Sequence, residues 1–121
     1  MSDTRQRPER LLGGFEHMVL LALQNLGETY GVPIRRQIFE QTGRDVSVGA
    51  LYTTLDRLER RGLVSSFNES AAHYGGRRVF RLEAPGVRAL VETAAALNAM
   101  GFGPHKRIRA YGETVPAAAS G

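Results

Sequence analysis

One stretch, residues 45–81, narrows the possible folds more than any other. Ser47 is a good helix cap, and after it Val48, Leu51, Leu55 and Leu58 recur at helical spacing until Gly62 stops the run. Ala50 stands where a full capping box would place Glu or Gln, so only half of that box is present. Residues 63–67 and 79–82 then have strand character, and residues 68–78 between them hold the turn pair Gly75-Gly76 followed by Arg77 and Arg78. An amphipathic helix running straight into a basic hairpin leaves few architectures open.

The flanking segments add helices. Residues 11–26 are apolar at helical spacing: Phe15, Val19, Ala22 and Leu26 form a stripe that Met18, Leu21 and Leu23 widen. A stripe wider than one face predicts burial on two sides. Gly27 ends that helix, and residues 28–31 read as a turn. Pro33 is placed to open a second helix at its first position, with Ile34, Ile38 and Phe39 inward, Arg35 and Arg36 outward, and Gly43 as its stop. A last helix is predicted over 84–100, with Pro85 in its first turn and two apolar stripes: Val87, Leu90, Ala94 and Leu97, and Ala89, Ala96 and Met100. The predicted order is helix, helix, helix, strand, strand, helix. That is a mainly α fold with a small β-hairpin (α+β), a winged helix-turn-helix with an N-terminal helix and a C-terminal helix. The expected division is a flexible basic arm at 1–10, a winged helix-turn-helix DNA-binding domain at 11–83, a last helix at 84–100 and an irregular tail at 101–121.

Composition removes several functional classes. The 121 residues suit one small domain, and a chain this short gains from association because it buries only a modest fraction of its surface. There is no cysteine for a disulfide or a nucleophile, and His17, His73 and His105 lie apart without ligand spacing. Each histidine reads as structural or solvated, and His17, on an apolar helix, also suits a satisfied interface position. No glycine-rich phosphate loop follows a strand, so an enzyme is not expected, nor a metal or other cofactor. The N-terminus carries no apolar signal segment and no run approaches a membrane span, so the expected location is cytoplasmic, away from membrane. Net charge is +4, and of sixteen basic residues only Lys106 is not arginine. Arginine grips phosphate and guanine through a planar fork, although a GC-rich genome also favours its codons.

On a helical wheel, the third helix turns Gly49, Ala50, Thr53, Asp56, Arg57 and Arg60 away from the seam, with Tyr52 and Thr54 flanking it. Small residues admit close approach to base edges. Thr53 and Thr54 suit a base edge, a phosphate or a thymine methyl, and Arg57 a guanine or a phosphate. Tyr52 suits a phosphate through its hydroxyl, or half-buried packing on the domain. Asp56 is expected to pair with Arg60 one turn on. Arg77 and Arg78 in the hairpin suit phosphate contact or minor-groove insertion; the bland alternative is a charge-protected sheet edge. The DNA-binding set is therefore Ser47, Gly49, Tyr52, Thr53, Thr54, Arg57, Arg77 and Arg78.

These residues resemble the PadR family of bacterial winged helix-turn-helix transcriptional regulators over about residues 12–97. The matching segments are Met18-Val19-Leu20-Leu21-Ala22-Leu23, Tyr30-Gly31, and Val46-Ser47-Val48-Gly49-Ala50-Leu51-Tyr52 with Leu55-Asp56-Arg57-Leu58-Glu59. Gly62-Leu63-Val64 follows, then Gly76-Arg77-Arg78-Val79-Phe80-Arg81-Leu82 with Gly86. Many relatives have proline and alanine at Thr53 and Thr54, and lysine at Asp56, which bears on the operator; their threonine at Glu83 concerns only a helix cap. The short C-terminus resembles the compact subgroup with one terminal helix.

The resemblance implies a homodimer in which the last helix, 84–100, is a C-terminal dimerisation helix, with help from the first. It assigns Phe15, Met18, Leu90, Val91, Ala94 and Leu97 to dimerisation, in keeping with the two-sided stripes. It also implies a sequence-specific repressor bound to a double-stranded DNA operator and released by a hydrophobic or aromatic small-molecule effector. The tryptophan that some relatives use to stack flat drugs is missing. The alternative is a winged helix used only for protein–protein interaction, which predicts an apolar or acidic reading face instead of the Thr/Arg face present here.

Overall fold

The computed structural model describes residues 11–69 and 77–101, with the backbone of two short strands at 108–110 and 113–115. In chain order the elements are α1 (Gly14–Leu26), β1 (Thr29–Tyr30), α2 (Gly31–Thr42), α3 (Val48–Arg60), β2 (Val64–Glu69), β3 (Arg77–Leu82), α4 (Ala84–Ala99), β4 (Ile108–Ala110) and β5 (Glu113–Val115). The fold is α+β, a winged helix-turn-helix in which helices pack beside a three-stranded antiparallel sheet of order β1-β3-β2.

Local chemistry sets the element ends. α1 starts three residues later than its apolar pattern suggests, because the Gly13 amide donates to Glu16 Oε1 at 3.0 Å and fixes the first turn there. The Leu12 amide instead donates to Thr93 Oγ1 of α4 at 3.1 Å, a buried bond that ties the entry of α1 to the last helix. α2 opens at Gly31, two residues before Pro33, and ends at Gly43, whose left-handed φ of 77° suits glycine. Ser47 caps α3 by accepting from the Ala50 amide at 3.0 Å.

The core joins Val19, Leu20, Ala22 and Leu23 of α1 with Ile34 and Ile38 of α2, Leu51, Leu55 and Leu58 of α3, and Leu63, Val64 and Phe80 of the wing. Ala89 and Leu90 of α4 close it. Several side chains depart from the sequence pattern. Leu20 joins the expected Leu23 inside, while Leu21 and Leu26 are exposed. Phe39, expected inward, is 54% exposed. Val48 is 53% exposed because it is the first residue of α3 and projects past the core; Thr54 completes the buried face instead, at i+3 from Leu51.

The wing is longer than the apolar runs predict. β2 pairs with β3 from Val64↔Leu82 out to Glu69↔Arg77, so Asn68, Arg77 and Arg78 belong to strands and not to the turn. Residues 28–31 are not a simple turn: Thr29 and Tyr30 pair with Phe80 and Val79, adding a third strand to the hairpin. Two residues give too short a run for alternation to be read. Gly86 follows the wing closely, since a Cβ there would strike the Leu63 carbonyl oxygen. The tail expected to be irregular contains a small hairpin, with Ile108↔Val115, Arg109↔Thr114 and Ala110↔Glu113 in register. The arm at 1–10, Gly75-Gly76, His73 and His105 lie outside the described residues.

Candidate nucleic-acid interface

The turn before α3 is braced from behind. Arg35, expected to point outward, is half-buried; its Nε donates to the Val46 carbonyl at 2.7 Å and its guanidinium pairs with Asp45 at 3.4 Å. At the other end of α3, Arg61 pairs with Glu16 of α1 at 3.3 Å, on the same carboxylate oxygen that accepts from Gly13. The helix is thus held at both ends while its outer face stays open.

That face exposes Ser47, Gly49, Ala50, Thr53, Arg57 and Arg60. Arg57 and Arg60 make no ion pair or ring contact among the described residues. Among the described residues neither cation meets a carboxylate, and beside one threonine and two small residues their planar forks suit an acceptor such as phosphate or guanine. Thr54 does not share this face. It is only 5% exposed, which corrects its assignment as a DNA contact. Tyr52 is half-buried, with its ring tilted 6.0 Å from that of Phe80. It also lies so close to the start of α2 that a Cβ at Gly31 would collide with its ring and hydroxyl. The packing alternative for Tyr52 is therefore the one realised.

The wing uses its arginines differently. Side chains alternate along β3, so Arg78 and Phe80 share the core face while Arg77, Val79 and Arg81 share the other. Arg78 lies 4.8 Å above the Phe80 ring and pairs with Glu59 at 2.7 Å and Asp56 at 3.0 Å. Its Nε also donates to Ser66 Oγ, whose hydroxyl in turn donates to Glu59. Burial alone would lower the Arg78 pKa. Hydrogen bonds and Coulomb attraction to Glu59 and Asp56 outweigh that and hold it above the ordinary arginine value. On the opposite face, Arg77 pairs with Glu69 at 3.1 Å and stacks 4.3 Å from the Tyr30 ring centroid. Arg81 pairs with Glu28 at 2.7 Å and lies 5.6 Å from the Phe67 ring, and the Glu28 hydrogen bond chiefly raises its pKa.

Asp56 is therefore bound to the wing, not to Arg60 as the i, i+4 spacing suggests. Helical spacing reports only neighbours on the same helix, and Arg78 offers a shared fork with Glu59 that Arg60 does not. Glu59 carried no signal of its role, because its partner is nineteen residues away. Glu83, read as a cap position, makes no side-chain cap; its carboxylate accepts from Ser65 Oγ.

Of the residues assigned to dimerisation, Leu90 is buried within the chain, which corrects its placement at a free surface. Phe15 packs against the core and Met18 is half-buried. Val91, Ala94 and Leu97 are exposed on α4, alongside Val87 and Met100.

The sequence model of the transcriptional regulator PadR-like family matches residues 19–92, more than half of the chain. The chain belongs to the PadR-like family. Its fold matches that of a PadR family transcription regulator from hypervirulent Clostridium difficile R20291, with a TM-score of 0.65 and 22% identity over 73% of this chain and 91% of that one. RosR of H. salinarum is 28% identical, with a TM-score of 0.61 over 74% of this chain and 77% of the other. The complex structure hsRosR-S1 gives a TM-score of 0.63 and 27% identity, covering 83% and 80%. None of the curated proteins compared with the chain matches it. The family is one of transcriptional regulators, the Clostridium difficile neighbour is a transcription regulator, and no helix among the described residues is long and apolar enough to cross a membrane.

Proposed function

We propose that this PadR-like protein is a homodimeric, sequence-specific DNA-binding regulator that represses transcription and is released by a small-molecule effector. The observation that carries this reading is the outer face of α3: Arg57 and Arg60 unpaired among the described residues, Thr53 between them and the small Gly49 and Ala50. A protein-docking helix would turn mainly apolar or acidic groups outward, whereas here Val48 is exposed only at the first position and Asp56 is paired with Arg78. Two such helices in a two-fold dimer would enter successive major grooves roughly 34 Å apart. Thr53 and Arg57 read bases, while Ser47 and Arg60 fix register on phosphates.

The exposed apolar residues of α4 support association of two copies. Val87, Val91, Leu97 and Met100 leave more apolar surface open than a lone helix end requires. The effector's place is the cleft between α1 and α4, lined by Leu12, Gly14, His17, Met18, Thr93 and Leu97 and about 360 Å³ in volume. A largely apolar wall with one histidine suits a small hydrophobic or aromatic molecule. Such a molecule shifts DNA affinity only by binding the DNA-competent and incompetent dimers differently.

The test is fluorescence anisotropy with a duplex from upstream of the protein's own gene, against a scrambled duplex, at two salt concentrations. Preference for the upstream duplex, weakening with salt, is the expected result. Equal weak binding to both would overturn the reading and favour a protein-docking role.

A further inference from the structure

Resting on the DNA-reading role proposed above, the geometry points to Arg78 as a positioning residue that clasps the wing to α3, and not as a phosphate contact. Its guanidinium bridges two helix carboxylates one turn apart, Asp56 at 3.0 Å and Glu59 at 2.7 Å. Phe80 beneath it and Ser66 beside it belong to the wing. The clasp thus has helix carboxylates on one side and sheet groups on the other, with Arg78 between.

Two consequences follow from charge and shape. First, Arg78 offsets one of the two carboxylate charges that would otherwise repel DNA phosphates at the edge of the reading helix and holds both groups toward the wing, which gives Asp56 a reason to sit there. Second, the wing's angle to α3 is fixed in the free protein, so the reading helix and the wing meet DNA as one preformed surface. Only a planar fork reaches Asp56, Glu59 and Ser66 together while stacking on a ring; a lysine ammonium would keep the charge and lose the clasp.

The experiment compares the full-length protein with Arg78→Ala, Arg78→Lys and the double variant Asp56→Asn/Glu59→Gln. Amide hydrogen exchange of the free proteins is measured first, because it reads the clasp without DNA. Faster exchange across residues 64–69 and 77–82 in all three variants, with α1 and α2 unchanged, is expected. Wild-type exchange rates in the wing would overturn the proposal.

Anisotropy titrations over a salt series then separate positioning from phosphate contact. A clasp predicts that Arg78→Lys and the double variant each weaken binding to the upstream duplex by about threefold to tenfold, as coupled neighbours do. The slope of log K against log salt should stay at the wild-type value. A phosphate contact predicts the opposite pattern: near-normal binding by Arg78→Lys, a slope smaller by about 0.9 in Arg78→Ala, and tighter binding once the two carboxylates are neutralised. That pattern would refute the clasp with DNA reading intact. Absence of any preference by the wild-type protein would refute DNA reading, while the exchange data still decide the clasp.

Discussion

The outer face of α3 and the β3 strand of the wing are built around the same residue type and use it in opposite ways. On α3, Arg57 and Arg60 stand exposed with no carboxylate or ring among the described residues. On β3, each of the three arginines has both: Arg77 with Glu69 and Tyr30, Arg78 with Asp56, Glu59 and Phe80, Arg81 with Glu28 and Phe67. Val79, between Arg77 and Arg81, is buried even though it lies on the sheet's outer face. Arginine richness in this chain is thus partly scaffold. The stacked guanidinium groups cover aromatic and aliphatic surface that a small domain cannot bury otherwise. The difference also separates two kinds of electrostatics. An unpaired cation loses little when it meets a phosphate, whereas a paired one must first give up its carboxylate.

The sharpest way to break this contrast is to remove the ring at the centre of the wing. Phe80→Ala should lower unfolding free energy by about 3–5 kcal/mol, because the ring is fully buried and also supports Arg78 and Tyr52. Chemical denaturation measures it, and a loss under about 1 kcal/mol would mean the wing is not anchored there. Next in size is Arg57→Ala, which should weaken binding to the upstream duplex by about 1–3 kcal/mol while leaving the melting temperature unchanged. A uniform loss on every sequence would make Arg57 a phosphate contact. Ser47→Ala removes the cap on the Ala50 amide and should cost about 1 kcal/mol of stability, read by thermal melting. The smallest effect is expected from Arg77→Ala. Its ion pair is exposed, so the stability change should stay below about 1 kcal/mol and shrink in high salt. A larger, salt-insensitive loss would show that stacking on Tyr30 dominates.

Much of the architecture was legible because it rests on local signals. Ser47, Gly43 and Gly62 mark helix ends through capping and left-handed backbone, and Leu51, Leu55 and Leu58 mark the buried face through spacing. The signals failed where tertiary contacts decide. β1 was hidden because two residues show no alternation, and its pairing to β3 is long-range. Thr54 reads as a polar residue flanking the seam and free to contact DNA, yet its place at i+3 from Leu51 puts it on the core side. Leu90 reads as part of an exposed stripe but falls on the side of α4 that meets the core. The outward position of Thr53, Arg57 and Arg60 was visible on the wheel. That Arg78 is engaged, while Arg57 meets no carboxylate among the described residues, was invisible, because the carboxylates that hold Arg78 lie nineteen and more residues from it.

The most direct measurement is an amide NMR titration of the full chain with the upstream duplex. The account predicts that the largest shifts fall on Gly49, Ala50, Thr53 and Arg57 of α3, with the β3 arginine side chains keeping their carboxylate partners. Perturbation concentrated at Arg77, Arg78 and Arg81 with α3 unmoved would contradict it and make the wing the reading element.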